Sequence, residues 1–268
     1  MVYLQCLIRL NPRNVRSDNN IMKATVTAII QARMGSSRLP GKAILDLAGR
    51  PLLYHVFRRI QATPGVDRIV MATCHGSEND VIIRLAESMG ILVFIGSEDN
   101  VLERFYLASE RYGGDYIMRV TGDNPFTDPG YAAETIRTIR ETGADLCYFP
   151  NLPLGTGVGM LTKAALDAAY RLSDQPYQRE HVTPYIKEHP ERFRIHVRDI
   201  ALDNPHPNLR LTVDTAEDYE VAQKIYAGCY HGEPFPLGDV LRFIEKNPDI
   251  PAINSGIQQR PMTHSSTK

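Results

Sequence analysis

This sequence has few cysteines, no excess of charge of one sign and no long apolar run, and each absence narrows the class of protein. Its 268 residues include only 4 cysteines, at Cys6, Cys74, Cys147 and Cys229, and no C-x-x-C pair. This spacing offers neither a zinc knuckle nor a disulfide framework. We therefore expect a protein of the reducing cytoplasm.

The charges are balanced, with 30 Lys plus Arg against 31 Asp plus Glu and a formal net charge of -1. A protein that binds nucleic acid or an anionic membrane through its overall charge would show a basic excess. We therefore expect neither nucleic acid nor a membrane as a partner. A local basic pocket remains compatible with this balance.

The apolar run at residues 2–10 is too short to span a bilayer, and Gln5 and Arg9 interrupt it. We interpret residues 1–21 as an N-terminal extension outside the fold and the polar residues 251–268 as a flexible tail. The 43% hydrophobic content is ordinary for a globular protein. Residues 22–250 are therefore predicted to form one domain.

Strand-like and helix-like segments alternate through the first half of this domain. Strand character is found at 25–32, 68–73, 91–95, 116–121 and 146–149, and helical periodicity at 51–60, 81–89 and 101–108. The alternation predicts an α/β fold: a mostly parallel, Rossmann-like sheet with helices on both faces. Such sheets bind ligands at the carboxyl ends of their strands.

The alternation weakens after residue 150. A loop-rich stretch at 150–160 precedes helical patterns at 162–172, 176–188 and 216–227 and strand-like runs at 193–197 and 209–213. We interpret 151–250 as an irregular, substrate-side half of the same domain, and 24–150 as its nucleotide half.

A basic, glycine-containing loop follows the first predicted strand. It holds small and hydroxyl residues between cations: Ala32, Arg33, Gly35, Ser36, Ser37, Arg38, Gly41 and Lys42. Close backbone approach, hydroxyl donors and three positive charges together are what a triphosphate requires. The spacing is not that of a P-loop, because Ala43 follows Lys42. A solvated basic loop is the alternative, but the position at a strand end favours an anion site.

Two carboxylates follow later strand-like runs. Asp123 comes after Gly122 in the segment 119–125, and Asp214 lies in the segment 210–219. Carboxylates at strand ends can hold a divalent cation whose shell phosphate oxygens and water complete. The alternatives are an Asp-Asn-Pro turn and a helix N-cap at Asp214 or Thr215.

The loop at 31–42, with its continuation at 45–52, closely resembles the opening of the cytidylyltransferases that activate sugar acids, of the CMP-Kdo synthetase type and, more closely, the spore coat polysaccharide F type. The resemblance covers about residues 24 to 246. It implies a GT-A-like nucleotidyltransferase fold, CTP phosphates held by the basic loop, Mg2+ held by Asp123 and Asp214, and a homodimer.

Weaker assignments lie between these motifs, each with an ordinary structural alternative. Nucleotide contacts are assigned to Thr73, Gly122, Asp99 and Arg104, and acceptor contacts to Arg179, Glu180 and His181. One departure from the resembled family is Gly159, which stands where an acidic residue is common. We expect that change to remove a hydroxyl or amine contact on the sugar side.

The leading hypothesis is a magnesium-dependent transfer of CMP from CTP to a small acidic sugar or related hydroxyl compound, with release of pyrophosphate, for surface polysaccharide or glycoconjugate synthesis. The catalytic assignments are Arg33, Arg38, Lys42, Asp123 and Asp214. The alternatives are a nucleotidyltransferase with another triphosphate, a glycosyltransferase using a nucleotide sugar, and a non-catalytic nucleotide-binding subunit.

Overall fold

The first apolar run of the domain forms a central strand of a seven-stranded sheet. A computed structural model describes residues 24–202 and 208–259, so the predicted extension at 1–21 lies outside the described residues. The described strands are β1 (Val26–Gln31), β2 (Asp46–Leu47), β3 (Arg50–Pro51), β4 (Arg68–Cys74), β5 (Leu92–Gly96), β6 (Tyr116–Thr121), β7 (Leu146–Tyr148), β8 (Gly159–Thr162) and β9 (Ile195–Val197). Of these, β2 and β3 pair with each other as a separate two-stranded sheet, and the other seven form the main sheet.

Ten α-helices surround this sheet in the described part of the chain. They are α1 (Leu52–Gln61), α2 (Asp80–Ser88), α3 (Val101–Tyr112), α4 (Pro129–Thr142), α5 (Lys163–Leu172), α6 (Pro176–His181), α7 (Pro184–Glu188), α8 (Ala216–Cys229), α9 (Leu237–Lys246) and α10 (Asp249–Ala252). Within the described ranges, no helix is both long and apolar enough to cross a membrane.

The sheet is mostly parallel, as predicted. Its strand order is β5-β4-β1-β6-β8-β7-β9. β1 pairs in parallel with β4 and β6, and β4 pairs in parallel with β5. β8 runs antiparallel between β6 and β7. The carboxyl ends of β1, β4, β5 and β6 therefore share one edge of the sheet.

Helices cover both faces of the sheet, which confirms the predicted fold class. One apolar core contains side chains of α1, α2, α4, α8 and α9. The other contains side chains of α3, α5 and α7. Strands buried on both faces must be apolar on both faces, which explains runs such as Val26–Ile30.

Several elements differ from the sequence prediction. The predicted helix at 176–188 is divided into α6 and α7, because Val182 between them adopts a φ of 69°. The run at 209–213 is extended but is not a strand of the sheet in the described chain, and a parallel bridge joins its Arg210 to Leu154. No sequence pattern predicted β8, α4, α9 or α10; β8 has only four residues and begins at a glycine.

The C-terminal end of the described chain is packed beyond residue 250. The side chain of Asn254 is buried, and its Nδ2 donates to the carbonyl of Arg210 (3.0 Å) and to Oδ1 of Asp218 (2.8 Å). These bonds satisfy a buried amide, and they correct the prediction that a flexible tail begins at residue 251. Residues 260–268 of that predicted tail lie outside the described residues.

We expect Asn254→Ala to lower the free energy of unfolding by about 1–3 kcal/mol, because it leaves buried acceptors without their donor. In a chain of this size each kcal/mol corresponds to roughly 2–4 °C in Tm. Urea and thermal unfolding measure the loss. The matched control is Ser255→Ala, which removes an exposed hydroxyl. Equal stability of the two variants would contradict the packed C-terminal segment.

Candidate functional site

The ends of β1 and β6 touch closely, and this contact requires a glycine. The backbone N–H of Gly122 donates to the carbonyl of Gln31 at 2.8 Å. A Cβ at position 122 would lie 2.9 Å from that carbonyl oxygen and 2.9 Å from Cβ of Ala32. The loop after β1 and the residues after β6 are therefore held side by side.

A second backbone bond brings in the extended segment at 209–214. The N–H of Val213 donates to the carbonyl of Asp123 at 2.8 Å. Asp123 and Asp214 are 91 positions apart in the printed sequence, yet this bond places both at one edge of the sheet. The two carboxylates predicted from separate motifs thus belong to one site.

The ammonium of Lys42 lies between these two carboxylates. Its Nζ is 2.8 Å from Oδ2 of Asp123, 2.8 Å from Oδ1 of Asp214 and 3.1 Å from the carbonyl of Val213. The three bonds use all three ammonium hydrogens. Lys42 begins a short 3-10 helix directly after Gly41, whose φ of 67° is in the left-handed region that favours glycine.

Positive charge dominates the electrostatics around Asp214. Nη2 of Arg38 lies 3.1 Å from Oδ1 of Asp214. Burial raises the pKa of this carboxyl, but the charges of Lys42, Arg38 and Arg210 outweigh burial and lower the pKa below its usual value. Burial likewise opposes the charge on Lys42, and Asp123 and Asp214 raise the pKa of the ammonium overall. Both groups are therefore charged at neutral pH.

A buried arginine fixes the second oxygen of Asp214. Nη2 of Arg210 donates to Oδ2 of Asp214 (3.0 Å), and Nε donates to Oδ1 of Asp218 (2.8 Å). Asp218 also accepts from the N–H groups of Asp214 and Thr215. Since Arg210 takes Oδ2, Oδ1 of Asp214 is directed toward Lys42.

The capping alternative is resolved in the same segment. Thr215, not Asp214, is the N-cap of α8: its side chain accepts from the N–H of Asp218, and Asp218 bonds back to Thr215. Arg210 and Asp218 were not predicted as site residues from the sequence. The sequence feature that could have indicated this role is an arginine four residues before Asp214. A linear pattern does not distinguish such an arginine from a surface cation.

The remaining loop residues lie beside this cluster. Nη1 of Arg33 is 2.8 Å from Oε1 of Glu98, and both side chains are about half exposed, at 44% and 56%. Such an ion pair contributes little and can exchange for a ligand. Gly35 and Ser37 are exposed, and Ser36 is half-buried.

A buried asparagine, Asn79, anchors the same loop. Its Oδ1 accepts from the N–H of Met34 at 2.9 Å, and its Nδ2 donates to the carbonyl of Cys74 at 3.3 Å. The loop after β1 is thereby tied to the loop after β4. Sequence reasoning missed Asn79, because only the fold brings the two loops together.

The weaker nucleotide assignments fall in different surroundings. Thr73 is a buried residue of β4, within the strand predicted at 68–73. Asp99 is exposed, and Asn100 is the cap of α3 instead, accepting from the N–H of Glu103 at 3.0 Å. Arg104 is buried and donates to the carbonyls of Ser97 and Glu98, so it orders this loop rather than lying on the surface.

The three acceptor assignments lie on α6. Arg179 and Glu180 are exposed, and Nη2 of Arg179 donates to the carbonyl of Ser173 at 3.3 Å. His181 is half-buried. Burial lowers the pKa of His181; of the nearby charges, Glu180 raises it and Arg119 lowers it. The histidine is therefore close enough to Arg119 to feel its charge, whereas Arg179 contacts the connection before α6.

A divalent cation fits the pair Asp123 and Asp214. Two carboxylates from different segments converge on a single positive group, the Lys42 ammonium. The described residues contain no group of three or more His, Cys, Asp or Glu side chains arranged for a metal. Magnesium usually takes one or two carboxylates and completes its shell with water and substrate phosphates. The donor set suits a metal that enters with a phosphate ligand.

Comparison with known proteins agrees with this architecture. The cytidylyltransferase family model matches residues 27–242. The spore coat polysaccharide biosynthesis protein SpsF of Bacillus subtilis is 34% identical over 226 residues, which are 82% of this chain and 94% of that protein. The 3-deoxy-manno-octulosonate cytidylyltransferase of Geobacter sulfurreducens is 35% identical over 121 residues, 44% of this chain and 47% of that enzyme.

A solved structure extends the likeness to three dimensions. The cytidylyltransferase from Leptospira borgpetersenii serovar Hardjo-bovis matches with a TM-score of 0.80 at 27% identity, covering 89% of this chain and 100% of that one. The fold and the matched relatives define a nucleotidyltransferase. The chain belongs to the cytidylyltransferase family, which confirms the resemblance seen in the sequence.

The lowered pKa of Asp214 predicts how stability changes with pH. The contribution of this carboxylate is fully present above its unfolded pKa of about 3.9 and is lost as pH falls through the lower folded value. We expect wild type to be more stable than Asp214→Asn at pH 7, and the difference to shrink below about pH 4. Urea unfolding between pH 7 and 2.5 measures it.

The control for this titration is Asp174→Asn, which changes an exposed carboxyl in the connection between α5 and α6. We expect its stability to follow that of wild type across the range. A difference between wild type and Asp214→Asn that stays constant down to pH 2.5 would contradict an ionised, cation-stabilised Asp214.

Proposed function

We propose that the enzyme transfers CMP from CTP to a small acidic sugar or related hydroxyl acceptor, with magnesium, and releases pyrophosphate. One observation carries the proposal: a lysine and an arginine from the loop after β1 converge with two carboxylates at the carboxyl edge of a parallel sheet. This arrangement joins the charges that bind a triphosphate to those that bind its metal.

Lys42 and Arg38 change partners in the proposed reaction. In the free enzyme both cations neutralise Asp214, and Lys42 also neutralises Asp123. With nucleotide bound, Lys42 and Arg38 donate to the phosphates that leave as pyrophosphate, and Arg33 exchanges Glu98 for the triphosphate. The two carboxylates are then available to the metal.

Catalysis rests on positioning and charge neutralisation, since phosphoryl-type transfer needs little covalent participation by the protein. Asp123 and Asp214 would hold the magnesium, with Arg210 fixing Asp214. When bound there, magnesium would stabilise the developing charge and lower the pKa of the acceptor hydroxyl. Such activation would replace a dedicated side-chain base.

The names of the relatives support the acceptor class and the pathway. SpsF is named for spore coat polysaccharide biosynthesis, and the Geobacter relative for activating 3-deoxy-manno-octulosonate, a sugar acid. We extend both to this chain as a role in surface polysaccharide or glycoconjugate synthesis. The proposal includes a homodimer in the cytoplasm, and light scattering tests the assembly.

We expect Asp123→Asn to lower CTP-dependent pyrophosphate release by about 100-fold or more while the protein stays folded. The reason is that metal stabilisation of the transition state is worth several kcal/mol, and each 1.36 kcal/mol is tenfold in rate. Coupled pyrophosphate detection measures the rate, and circular dichroism the fold. Asp249→Asn, an exposed change at the start of α10, is the control. Retained turnover with magnesium would exclude Asp123 as a metal ligand.

Thermal stabilisation by each of the four common nucleoside triphosphates with magnesium tests the nucleotide. At 100 times its Kd, we expect CTP to stabilise the protein by about 2.7 kcal/mol, or roughly 5–10 °C, and Lys42→Met to reduce that shift. Lys246→Met, on the exposed end of α9, is the control.

Thermal stabilisation, combined with assays of acceptor consumption and turnover, decides among the alternative functions. A larger shift with another triphosphate would favour that nucleotide, and no shift with CTP would contradict the proposal. A CTP shift without acceptor consumption across sugar acids would favour the non-catalytic nucleotide-binding subunit. Turnover of an existing nucleotide sugar without pyrophosphate would favour a glycosyltransferase.

A further inference from the structure

No hydrogen bond or ion pair holds the guanidinium of Arg119 in the described part of the chain. Arg119 is a half-buried residue of β6, and within residues 24–202 and 208–259 it makes neither a hydrogen bond nor an ion pair. Its Nε is buried and unsatisfied. A polar or charged group in this condition is costly unless something binds it. The guanidinium of Arg119 is therefore available to bind an anionic ligand.

The residue opposite Arg119 leaves space for that ligand. In the antiparallel pairing of β6 with β8, Arg119 lies opposite Gly159, and a Cβ on Gly159 would meet no heavy atom within 4 Å. Side chains of such a pair project from the same face of the sheet. The preceding same-face pair, Ile117 and Leu161, belongs to the core under α3, α5 and α7, which fixes that face.

A second cation borders the same face. Nζ of Lys187, on α7, lies 4.1 Å from the ring centroid of Tyr148, and Tyr148 of β7 packs against the same core. Burial and then the positive charge of Arg119 lower the pKa of Lys187. Arg119 also lowers the pKa of His181, against the opposing effect of Glu180. Arg119 of β6 and Lys187 of α7 are thus two cations bordering the face on which Gly159 lies open, and the neighbouring His181 of α6 is kept neutral by its lowered pKa.

We propose that Arg119, together with Lys187, binds an anionic oxygen group of the acceptor in the space above Gly159. A guanidinium fork and an ammonium are the side chains that recognise carboxylate and phosphate. Gly159 is then more than a lost contact: an acidic residue there would neutralise Arg119 from within the protein, whereas glycine leaves that role to the ligand.

The location is suitable for an acceptor. Arg119 precedes Asp123 by four residues at the carboxyl end of β6, and the charge of Asp123 acts on its guanidinium. An anionic group held by Arg119 therefore lies beside the proposed reaction centre. This inference rests on the proposed function, because it assumes that the acceptor hydroxyl is presented to CTP at Asp123.

Steady-state kinetics at saturating CTP and magnesium test the subsite. The probes are 3-deoxy-manno-octulosonate and glucuronate as sugar carboxylates, glucose 6-phosphate as a sugar phosphate and glucose as a neutral sugar. We expect a charged probe to be used in preference to glucose. Which charged probe is used distinguishes a carboxylate ligand from a phosphate ligand.

The variants are Arg119→Gln, Gly159→Asp and Gly159→Asn, with Arg84→Gln on the exposed face of α2 as the control. We expect Arg119→Gln and Gly159→Asp to raise KM for the charged acceptor at least tenfold and to leave KM for CTP within twofold. Gly159→Asn and Arg84→Gln should change KM for the charged acceptor less. A rise confined to KM for CTP, or glucose as the best acceptor, would overturn the proposal.

A second readout does not depend on turnover. If Arg119 lacks a partner, Gly159→Asp supplies one, so its Tm should exceed that of Gly159→Asn by several degrees, and adding Arg119→Gln should remove the difference. Equal Tm values would overturn the subsite. Absence of CTP binding and turnover in wild type would instead contradict the proposed function. The Tm comparison of Gly159→Asp with Gly159→Asn would still test the subsite.

Discussion

The ammonium of Lys42 is shared by two carboxylates that come from opposite halves of the chain. Asp123 follows a strand of the parallel sheet, and Asp214 follows an extended segment that joins the sheet edge late in the sequence. Without a cation between them, two carboxylates this close would repel each other. The free enzyme therefore needs Lys42 as an internal counterion, and in the proposed nucleotide complex a metal of equal or greater charge would take its place.

The rest of the site supports that shared charge. The close contact at Gly122 and the backbone bond from Val213 to Asp123 set the separation of the two carboxylates. Arg210 and Asp218 then fix the orientation of Asp214 from its buried side. Each support is short, buried and made by backbone or by bidentate charge-assisted bonds, which are the contacts that hold geometry most firmly.

Much of the sheet and the central cluster could be predicted from the sequence, because both rest on local patterns. Runs of mostly apolar residues reveal β1, β4 and β6, and the loop after β1 gathers its three cations within ten residues. The break at Val182 could not be predicted, since a β-branched residue rarely adopts positive φ. Nor could the role of Arg210, whose partners come from α8 and the C-terminal segment.

The pairing of residues across strands also could not be predicted from the sequence. The sequence around Arg119 does not show that the residue opposite it on β8 is a glycine, because strand register is a property of the folded sheet. The same holds for Asn79, which reaches the loop after β1 from the loop after β4. In each case a residue's role follows from a neighbour that is distant in sequence.

The site depends on contacts that form late in translation. Arg210 and Asp218 accept from Asn254, and Arg210 donates to Gln259. A nascent chain can complete the parallel strands early, since β1, β4, β5 and β6 are all made by residue 121. Asn254 and Gln259, the last partners of Arg210 in the described chain, leave the ribosome more than a hundred residues after β6. The sheet can therefore form while the chain is still being made, but the support behind Asp214 is complete only once residue 259 has emerged.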